Sequence, residues 1–343
     1  MGVVYCVIQQ IFMRRYTLLF IAAITASLAM FACRATPGLS TTGIGEPYEV
    51  FVICDEPAWQ GGLEASVRNC LEQQVEGLPR PENYFSVVDH SDIDNISQLE
   101  LKHSKLLNIN ISTTNTSTYL SSEENAYATP QIIVTLYAPD AESAKQYIDN
   151  NGHELRELFE ASARSISLSN SIRSKNDAMT SLFAQKVGYN MHIPGGFVAA
   201  RAEEDESLLW LVRNYNEMRH YIFAFTSPVD NPYMLTIPQL IDNINDRLKV
   251  IHAENKPQSY MALSDDFSKF PSARDIDGRI WYELRACWMT HNDFMGGPIV
   301  AYTTINDDMQ SMTTIAFALY APGVKQRQIM ADLEYLIHTV SEQ

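Results

Sequence analysis

One local pattern occurs three times in this sequence: an apolar strand ends at a proline, and an amphipathic helix follows. Proline ends a strand cleanly because it cannot donate a hydrogen bond to the ladder. Each following segment carries its apolar residues in one stripe at helical spacing, so each helix should cover one face of a sheet. The strands are predicted at residues 132–138, 221–225 and 314–320, and the prolines are Pro139, Pro228 and Pro322.

The other strands predicted in the second half of the chain come in adjacent pairs with short breaks between them. Short connections favour antiparallel hairpins, because parallel neighbours need a crossover of about a dozen residues or more. The pairs are residues 196–202 with 208–214, and residues 279–287 with 298–304.

These patterns together predict an α+β fold. We expect two mainly antiparallel β-sheets, each backed by amphipathic helices, in one tethered body. The N-terminal half comprises residues 48–188 and the C-terminal half residues 189–343, with the break near residues 186–195. The sequence leaves open the alternative that the two halves share one continuous sheet.

The N-terminus has the composition of an export signal. A pair of arginines precedes an apolar run from Leu18 to Phe31, and no acidic side chain occurs before Cys33. This arrangement is typical of signal peptides, so we expect residues 1–32 to be removed and Met13 to be the true start. Plain secretion and a membrane span are the alternatives, although the run is short for a spanning helix, which needs about 20 apolar residues.

Cys33 ends a segment, Leu28–Cys33, that resembles the lipobox of bacterial lipoproteins. Met30 and Phe31 depart from that pattern, in which leucine and a small residue are commoner. The thiol of Cys33 can take a diacylglycerol, and an anchor of several acyl chains holds a protein far more firmly than one chain. We therefore expect a lipoprotein that carries palmitate and is attached to the membrane through Cys33.

Residues 33–47 are rich in Thr, Gly, Ser and Pro, which is typical of a flexible tether. Surface-exposed lipoproteins of Bacteroidota tend to carry an acidic cluster just after the lipid-bearing cysteine, and this chain has Arg34 there instead. We therefore expect the protein in the cell envelope, anchored in the outer membrane and facing the periplasm.

The charge of the chain limits its partners. The sequence has 25 basic and 41 acidic residues. Loss of the two arginines of the signal peptide leaves 23 basic residues, so the mature body has a net charge of −18. Nucleic acids and anionic membrane surfaces attract basic patches, so the composition excludes nucleic acid as a partner.

The cysteines beyond the lipid site are sparse. Cys54, Cys70 and Cys287 form an odd set, so at most one disulfide can form within the chain. Buried thiols are the commoner fate of such cysteines. A disulfide between Cys54 and Cys70 remains an alternative, which requires the first strand to pack on the first helix.

No complete catalytic or metal-binding motif occurs in the sequence. It contains no nucleophile elbow, phosphate-binding loop or dinucleotide fingerprint. His153 begins a helical zinc-protease pattern, but Glu157 stands where the second histidine belongs. We therefore predict no catalytic residue, no metal site and no cofactor.

Trp59, Gly296 and Gly297 are the candidate ligand-binding residues. Trp59 lies in a polar turn rather than in a strand, and flat aromatic rings stack on the apolar faces of sugars and peptides. Gly296 and Gly297 precede Pro298, a pattern that predicts a tight turn permitting positive φ. Core packing is the alternative for the tryptophan.

Several short motifs occur in a characteristic order along the chain. They are Gly278–Trp281, Met295–Pro298 and Leu319–Arg327, preceded by Trp59 and by residues 77–82 and 128–131. In this order the chain resembles an uncharacterised lipoprotein family of Bacteroidota that is described as a domain of unknown function. The likeness covers nearly all of the mature chain. It implies a lipoprotein of mixed α/β fold and supplies no catalytic residues.

Two functional hypotheses follow. The first is a membrane-anchored lipoprotein with no catalytic role, which binds an envelope protein or a glycan. The alternative is an envelope hydrolase with an unrecognised carboxylate site, for which two carboxylates about 5–10 Å apart would suffice. The missing motifs favour the first hypothesis.

Overall fold

The computed structural model describes residues 41–200, 207–233, 235–253 and 255–342. The predicted signal peptide (residues 1–32), Cys33 and the tether up to residue 40 lie outside the described residues. Residues 42–343 form one compact unit. Within the described ranges, no helix combines the length and the apolar character that crossing a membrane requires.

The N-terminal half is built on a five-stranded sheet with the strand order β2-β1-β3-β5-β4. The strands are β1 (Glu49–Ile53), β2 (Ser86–Ser91), β3 (Lys105–Ile111), β4 (Tyr119–Glu124) and β5 (Ile132–Ala138). β1 pairs in parallel with both β2 and β3, and β3 pairs in parallel with β5. At one edge, β4 runs antiparallel to β5.

The predicted antiparallel arrangement is wrong for this sheet, which is mainly parallel. The chain between β1 and β2 carries a helix, α1 (Glu64–Leu71), and a turn of 3-10 helix (Glu100–Lys102) lies between β2 and β3. Connections of this length cross over the sheet and bring the chain back in the same direction, which makes neighbouring strands parallel.

The long helix α2 (Ala141–Arg173) covers one face of the N-terminal sheet. Its start is fixed by Asp140, whose Oδ1 accepts a hydrogen bond from the backbone N–H of Ser143 at 2.7 Å. Such a cap satisfies a backbone donor that has no partner inside the helix. Buried residues in the first part of α2, among them Ile148 and Phe159, pack in the core of this half. The last part of the helix contacts the C-terminal half.

The C-terminal half is built on an eight-stranded antiparallel sheet with the order β10-β12-β13-β14-β9-β8-β7, and β11 also pairs with β12. Its strands are β7 (Val198–Ala200), β8 (Leu209–Tyr215), β9 (Met218–Pro228), β10 (Tyr260–Leu263), β11 (Phe270–Ile276), β12 (Arg279–His291), β13 (Gly296–Ile305) and β14 (Ser311–Tyr320). A separate ribbon joins β6 (Tyr189–Asn190) to β15 (Ser341–Glu342). The helices are α3 (Asp177–Val187), α4 (Ile237–Leu248) and α5 (Arg327–Glu334).

Both faces of the C-terminal sheet are covered. In β9, Ile222 and Ala224 point to the core that contains residues of α3 and α5. Phe223 and Phe225 point to the opposite core, which contains residues of α4. This alternation is what a strand with a side-chain period of two produces between two apolar layers. The predicted α+β class and the antiparallel C-terminal sheet are confirmed, and the two halves have separate sheets instead of one shared sheet.

Arg327, the first residue of α5, joins the two halves. Its guanidinium lies over the ring of Tyr48, 4.3 Å from the centroid, and Nη2 donates to Oε1 of Glu160 on α2 at 3.0 Å. The carboxylate of Glu82 accepts the backbone N–H groups of Gln326 and Arg327 at 2.7 and 3.0 Å. The N-terminal half therefore supplies the groups that hold this end of α5.

A second buried arginine lies beside the first. Nε of Arg285 donates to Oε1 of Glu283 at 2.7 Å, and Nη2 lies 2.8 Å from Oε2 of Glu334 on α5. Glu283 also accepts from Nε of Arg274 at 2.9 Å. Arg327, Arg285 and the three glutamates at positions 160, 283 and 334 are called the charged seam below.

Replacement of Arg327 by alanine should destabilise the protein by roughly 3–5 kcal/mol, because it removes the partner of a largely buried carboxylate, Glu160. The control is Arg68→Ala, which removes half-exposed ion pairs with Glu64 and Glu72 and should cost at most about 1 kcal/mol. Urea unfolding followed by circular dichroism measures both. Equal losses for the two variants would contradict the role given to the charged seam.

Candidate functional site

The structure places Trp59 inside the N-terminal half. Its side chain is 3% exposed, and it belongs to the core cluster that contains Val67 and Phe159. One face stacks on the ring of His90 at a centroid distance of 4.8 Å, and Nε2 of His90 lies 2.7 Å from Oε2 of Glu56. The indole therefore forms part of the core packing and presents no open face to a ligand.

Gly296 and Gly297 are the first residues of β13, paired with Met289 and Trp288 of β12. The expected positive φ is wrong, since neither glycine has one. Position 297 requires glycine because a larger residue does not fit: a Cβ on Gly297 would clash with the carbonyl oxygen of Leu319 on the neighbouring strand. That same oxygen accepts a hydrogen bond from Nε1 of Trp288 at 3.2 Å.

The predicted ligand-binding residues are not brought together. Trp59 belongs to the core cluster of the N-terminal half, whereas Trp288, beside Gly297, belongs to a core cluster of the C-terminal sheet. The three residues therefore do not line one groove.

A cleft between the two halves is a better candidate. It has a volume of about 400 Å³, which is within the range typical of small-molecule sites. The start of β3, the last turns of α2 and the α5 helix contribute to its walls. The lining includes Lys105, Ser167, Asn170, Ser171, Ser174, Arg213, Asp332 and Leu336. It is called the Lys105 cleft below.

Lys105 is the most unusual residue of the cleft. Strand alternation places it on the same face of β3 as the buried Leu107 and Ile109. The side chain is 1% exposed, and no charged group among the residues that the structure describes contributes to its pKa. Burial lowers the pKa of Lys105 to about 8. The ammonium form therefore still prevails at pH 7, in a position where lysine is rarely found without a partner.

The opposite wall carries Asp332 and Arg213. Oγ of Ser167 donates to Oδ1 of Asp332 at 2.6 Å, and the surrounding protein raises the pKa of this carboxyl by displacing its hydration. Arg213 donates from Nε to Nδ1 of His220 at 2.8 Å and lies over the ring of Phe197. With all three groups ionised, Lys105, Arg213 and Asp332 give the cleft one net positive charge.

One further polar atom in the wall is unsatisfied. Oγ of Ser171 is buried and has no hydrogen-bond partner among the described residues. Ser171 lines the cleft, but its Oγ has almost no accessible surface and so does not reach into the cavity. Buried polar groups are normally hydrogen-bonded, so Lys105 is the group of this cavity that favours a polar ligand from outside.

The geometry of the cleft supports binding more than covalent chemistry. A lysine with a pKa lowered by burial can act as a nucleophile, but turnover at such a site also needs an acid–base group within reach of the reacting atoms. Within the described part of the chain, no side chain hydrogen-bonds to Lys105. Sequence reasoning missed this residue because a lone lysine at a strand end suggests a solvated charge. Its inward position could have been read from the alternation of Leu107, Ile109 and Ile111.

The carboxylates expected of a hydrolase occur elsewhere, around a cavity of about 100 Å³ lined by Glu160, Glu283 and Glu334. This volume is below the range typical of ligand sites. Each carboxylate has an arginine partner in the charged seam. Burial raises the pKa of Glu283, and the charges of Arg285 and Arg274 more than offset that effect, so the pKa lies below its usual range. These contacts are those of a structural network.

Among the described residues, Cys54, Cys70 and Cys287 are free, buried thiols, and Cys54 and Cys70 form no disulfide. Burial raises the pKa of Cys54 to about 12 and that of Cys70 to about 11. A thiol with so high a pKa is a poor nucleophile at neutral pH. Among the described residues, no group of three or more His, Cys, Asp or Glu side chains is placed to hold a metal ion.

Gly297→Ala should destabilise the protein by roughly 1–3 kcal/mol, because the added methyl group must displace a backbone oxygen in a packed sheet. Gly61→Ala is the matched control: a Cβ at that position meets no atom within 4 Å. Its effect should stay below about 0.5 kcal/mol. Thermal unfolding measures both variants, and a Gly297→Ala protein as stable as Gly61→Ala would show that close packing is not the reason for this glycine.

Lys105→Met should stabilise the protein at pH 7, by up to roughly 3 kcal/mol at 1.36 kcal/mol per pKa unit. The pKa of Lys105 is about 8 in the folded protein and 10.5 in the unfolded chain. The charged lysine therefore destabilises the fold by its full amount below pH 8. The difference between wild type and variant should shrink as the pH rises from 8 towards 10.5. Urea unfolding at pH 7 and pH 10 measures this difference. A variant no more stable than the wild type at pH 7 would show that the charge of Lys105 has a partner.

Two domain families match the described body. Residues 43–172 match a domain of unknown function, DUF8532, and residues 176–339 match a second, DUF4837. No curated protein matches the chain. Lys105 and Ser171 fall in the first matched region, whereas Arg213 and Asp332 fall in the second, so the walls of the Lys105 cleft come from both. The chain thus consists largely of two domains of unknown function.

Proposed function

We propose that this protein is a membrane-anchored bacterial lipoprotein with no catalytic role, which binds an envelope ligand in the Lys105 cleft. The lipid is attached to Cys33, and the protein faces the periplasm from the outer membrane. The observation that carries the binding role is a buried lysine without a partner in a cleft of about 400 Å³.

The lipid anchor is supported by the sequence that precedes the folded body. The arginine pair, the apolar run and Cys33 occur in the order that lipid attachment requires. Eight residues lie between Cys33 and Thr42, so nine steps of the chain join them, and an extended chain covers at most about 3.6 Å per step. The body therefore stays within about 30 Å of the lipid.

The first residues of the body lie at the cleft. Thr42 and Ile44 form β-bridges with Thr129 and His103, and Gly43 and Gly45 line the Lys105 cleft. A ligand of the cleft would therefore bind beside the point where the tether begins. This position suits a ligand that is itself part of the envelope.

Binding is preferred to hydrolysis for a physical reason. The carboxylates at positions 160, 283 and 334 are bound to arginines around a small cavity, and the Lys105 cleft lacks a pair of carboxylates among the described residues that line it. A glycan is the ligand that the hydroxyl-rich lining favours, and an envelope protein is the other candidate partner. The net charge of −18 opposes nucleic acid.

The anchor is tested by metabolic labelling with palmitate. Cys33→Ala should abolish incorporation of label and leave the precursor unprocessed, because no thiol remains at the processing site. Cys54→Ala, which changes a thiol of the folded body, should be labelled like the wild type. Label retained in the Cys33→Ala protein would refute the lipid anchor.

A further inference from the structure

We propose that the Lys105 cleft binds an acidic saccharide, with the carboxylate of the sugar on Nζ of Lys105 and its hydroxyl groups on the polar wall of α2. The inference deepens the proposed function by naming the ligand class of the same site. It rests on the binding role of the cleft and not on the lipid anchor.

The charge of the cleft favours an anionic ligand. An ammonium buried without a partner costs free energy, and a carboxylate placed on it removes that cost through a charge-assisted hydrogen bond. Asp332 does not serve this purpose, since it is bound to Ser167 on the opposite wall. One net positive charge remains in the cleft, which matches a ligand with a single negative charge.

One wall of the cleft is polar. Ser167, Asn170, Ser171 and Ser174 are spaced at i, i+3, i+4 and i+7, which places them on one face of α2 and its C-cap. All four line the cleft. The hydroxyl groups of Ser167 and Ser174 already donate within the protein, but each oxygen can still accept a hydrogen bond. Nδ2 of Asn170 can donate one. The hydroxyl groups of a sugar ring need such partners.

Another part of the lining is apolar. Ile166, Leu333 and Leu336 also line the cleft and supply apolar contacts. A sugar ring has C–H groups on its faces as well as hydroxyl groups at its rim, so it matches a wall of mixed character. A simple inorganic anion would use Lys105 alone and would make no use of Asn170 and the serine hydroxyl groups. The lining therefore favours a carboxylate carried on a hydroxylated ring.

The test is calorimetric titration of the full-length lipidated chain in detergent with D-glucuronate and D-galacturonate, and with D-glucose as the neutral analogue. At least one uronate should bind at least about tenfold more tightly than glucose, equivalent to about 1.4 kcal/mol. Lys105→Met should weaken uronate binding at least about tenfold, whereas Lys325→Met, which removes an exposed lysine outside the cleft, should leave it unchanged.

Two further measurements keep the proposal falsifiable. Asn170→Ala removes one amide group of the cleft wall without loss of charge and should weaken uronate binding about threefold or more. Unchanged melting of that variant shows that the fold is intact. Inorganic phosphate and acetate form the last arm, and either should bind at least about tenfold more weakly than the preferred uronate.

Three outcomes would overturn the inference. They are absence of uronate binding, uronate binding that survives Lys105→Met, and equal binding of phosphate or acetate, which indicates a general anion site. Palmitate labelling at Cys33 is independent of all three. If labelling succeeds and uronates do not bind, the anchor stands and the ligand class is wrong. If uronates bind and the Cys33→Ala protein retains its label, the ligand class stands and the lipid anchor is wrong.

Discussion

The ion pair between Arg327 and Glu160 is the contact on which the arrangement of the molecule depends. Arg327 begins a helix of the C-terminal half, and its guanidinium lies among Tyr48, Tyr84 and Glu160 of the N-terminal half. A buried charge tolerates only a narrow range of positions, because its partner must stay within hydrogen-bonding distance. This pair therefore fixes the start of α5 relative to α2. Since these two helices form walls of the Lys105 cleft, the same contact sets the shape of the cleft.

The sequence predicted the parts of the fold that depend on local pattern. The strands that end at Pro139, Pro228 and Pro322 are present, and a helix follows each of them. The hairpins of the C-terminal sheet were predicted because their connections are short. The parallel pairing of the N-terminal sheet was missed, although the helix between β1 and β2 is a crossover connection. Strand direction depends on where a connection crosses the sheet, and a single sequence carries that information only indirectly.

The candidate site was less predictable, for two different reasons. Trp59 and Gly297 attract attention as residue types, but their environments are those of packed interiors. Lys105 attracts none, because lysine is most often exposed. Its unusual state arises from neighbours distant in sequence, namely the end of α2 and the α5 helix, which cover the start of β3. Burial of that kind is a tertiary property that local patterns do not encode.

The length of α2 has a consequence for the modular character of the protein. Its 33 residues are interrupted by a kink at Asn151, where the backbone leaves the helical conformation, and its far end lies where one matched domain stops and the other starts. A cut at this boundary would divide the charged seam, since Glu160 and Arg327 fall on opposite sides. Each fragment would carry part of the wall of the Lys105 cleft and a buried charge without its partner. We therefore expect the two matched regions to be stable only together, and the Lys105 cleft to be lost when they are separated.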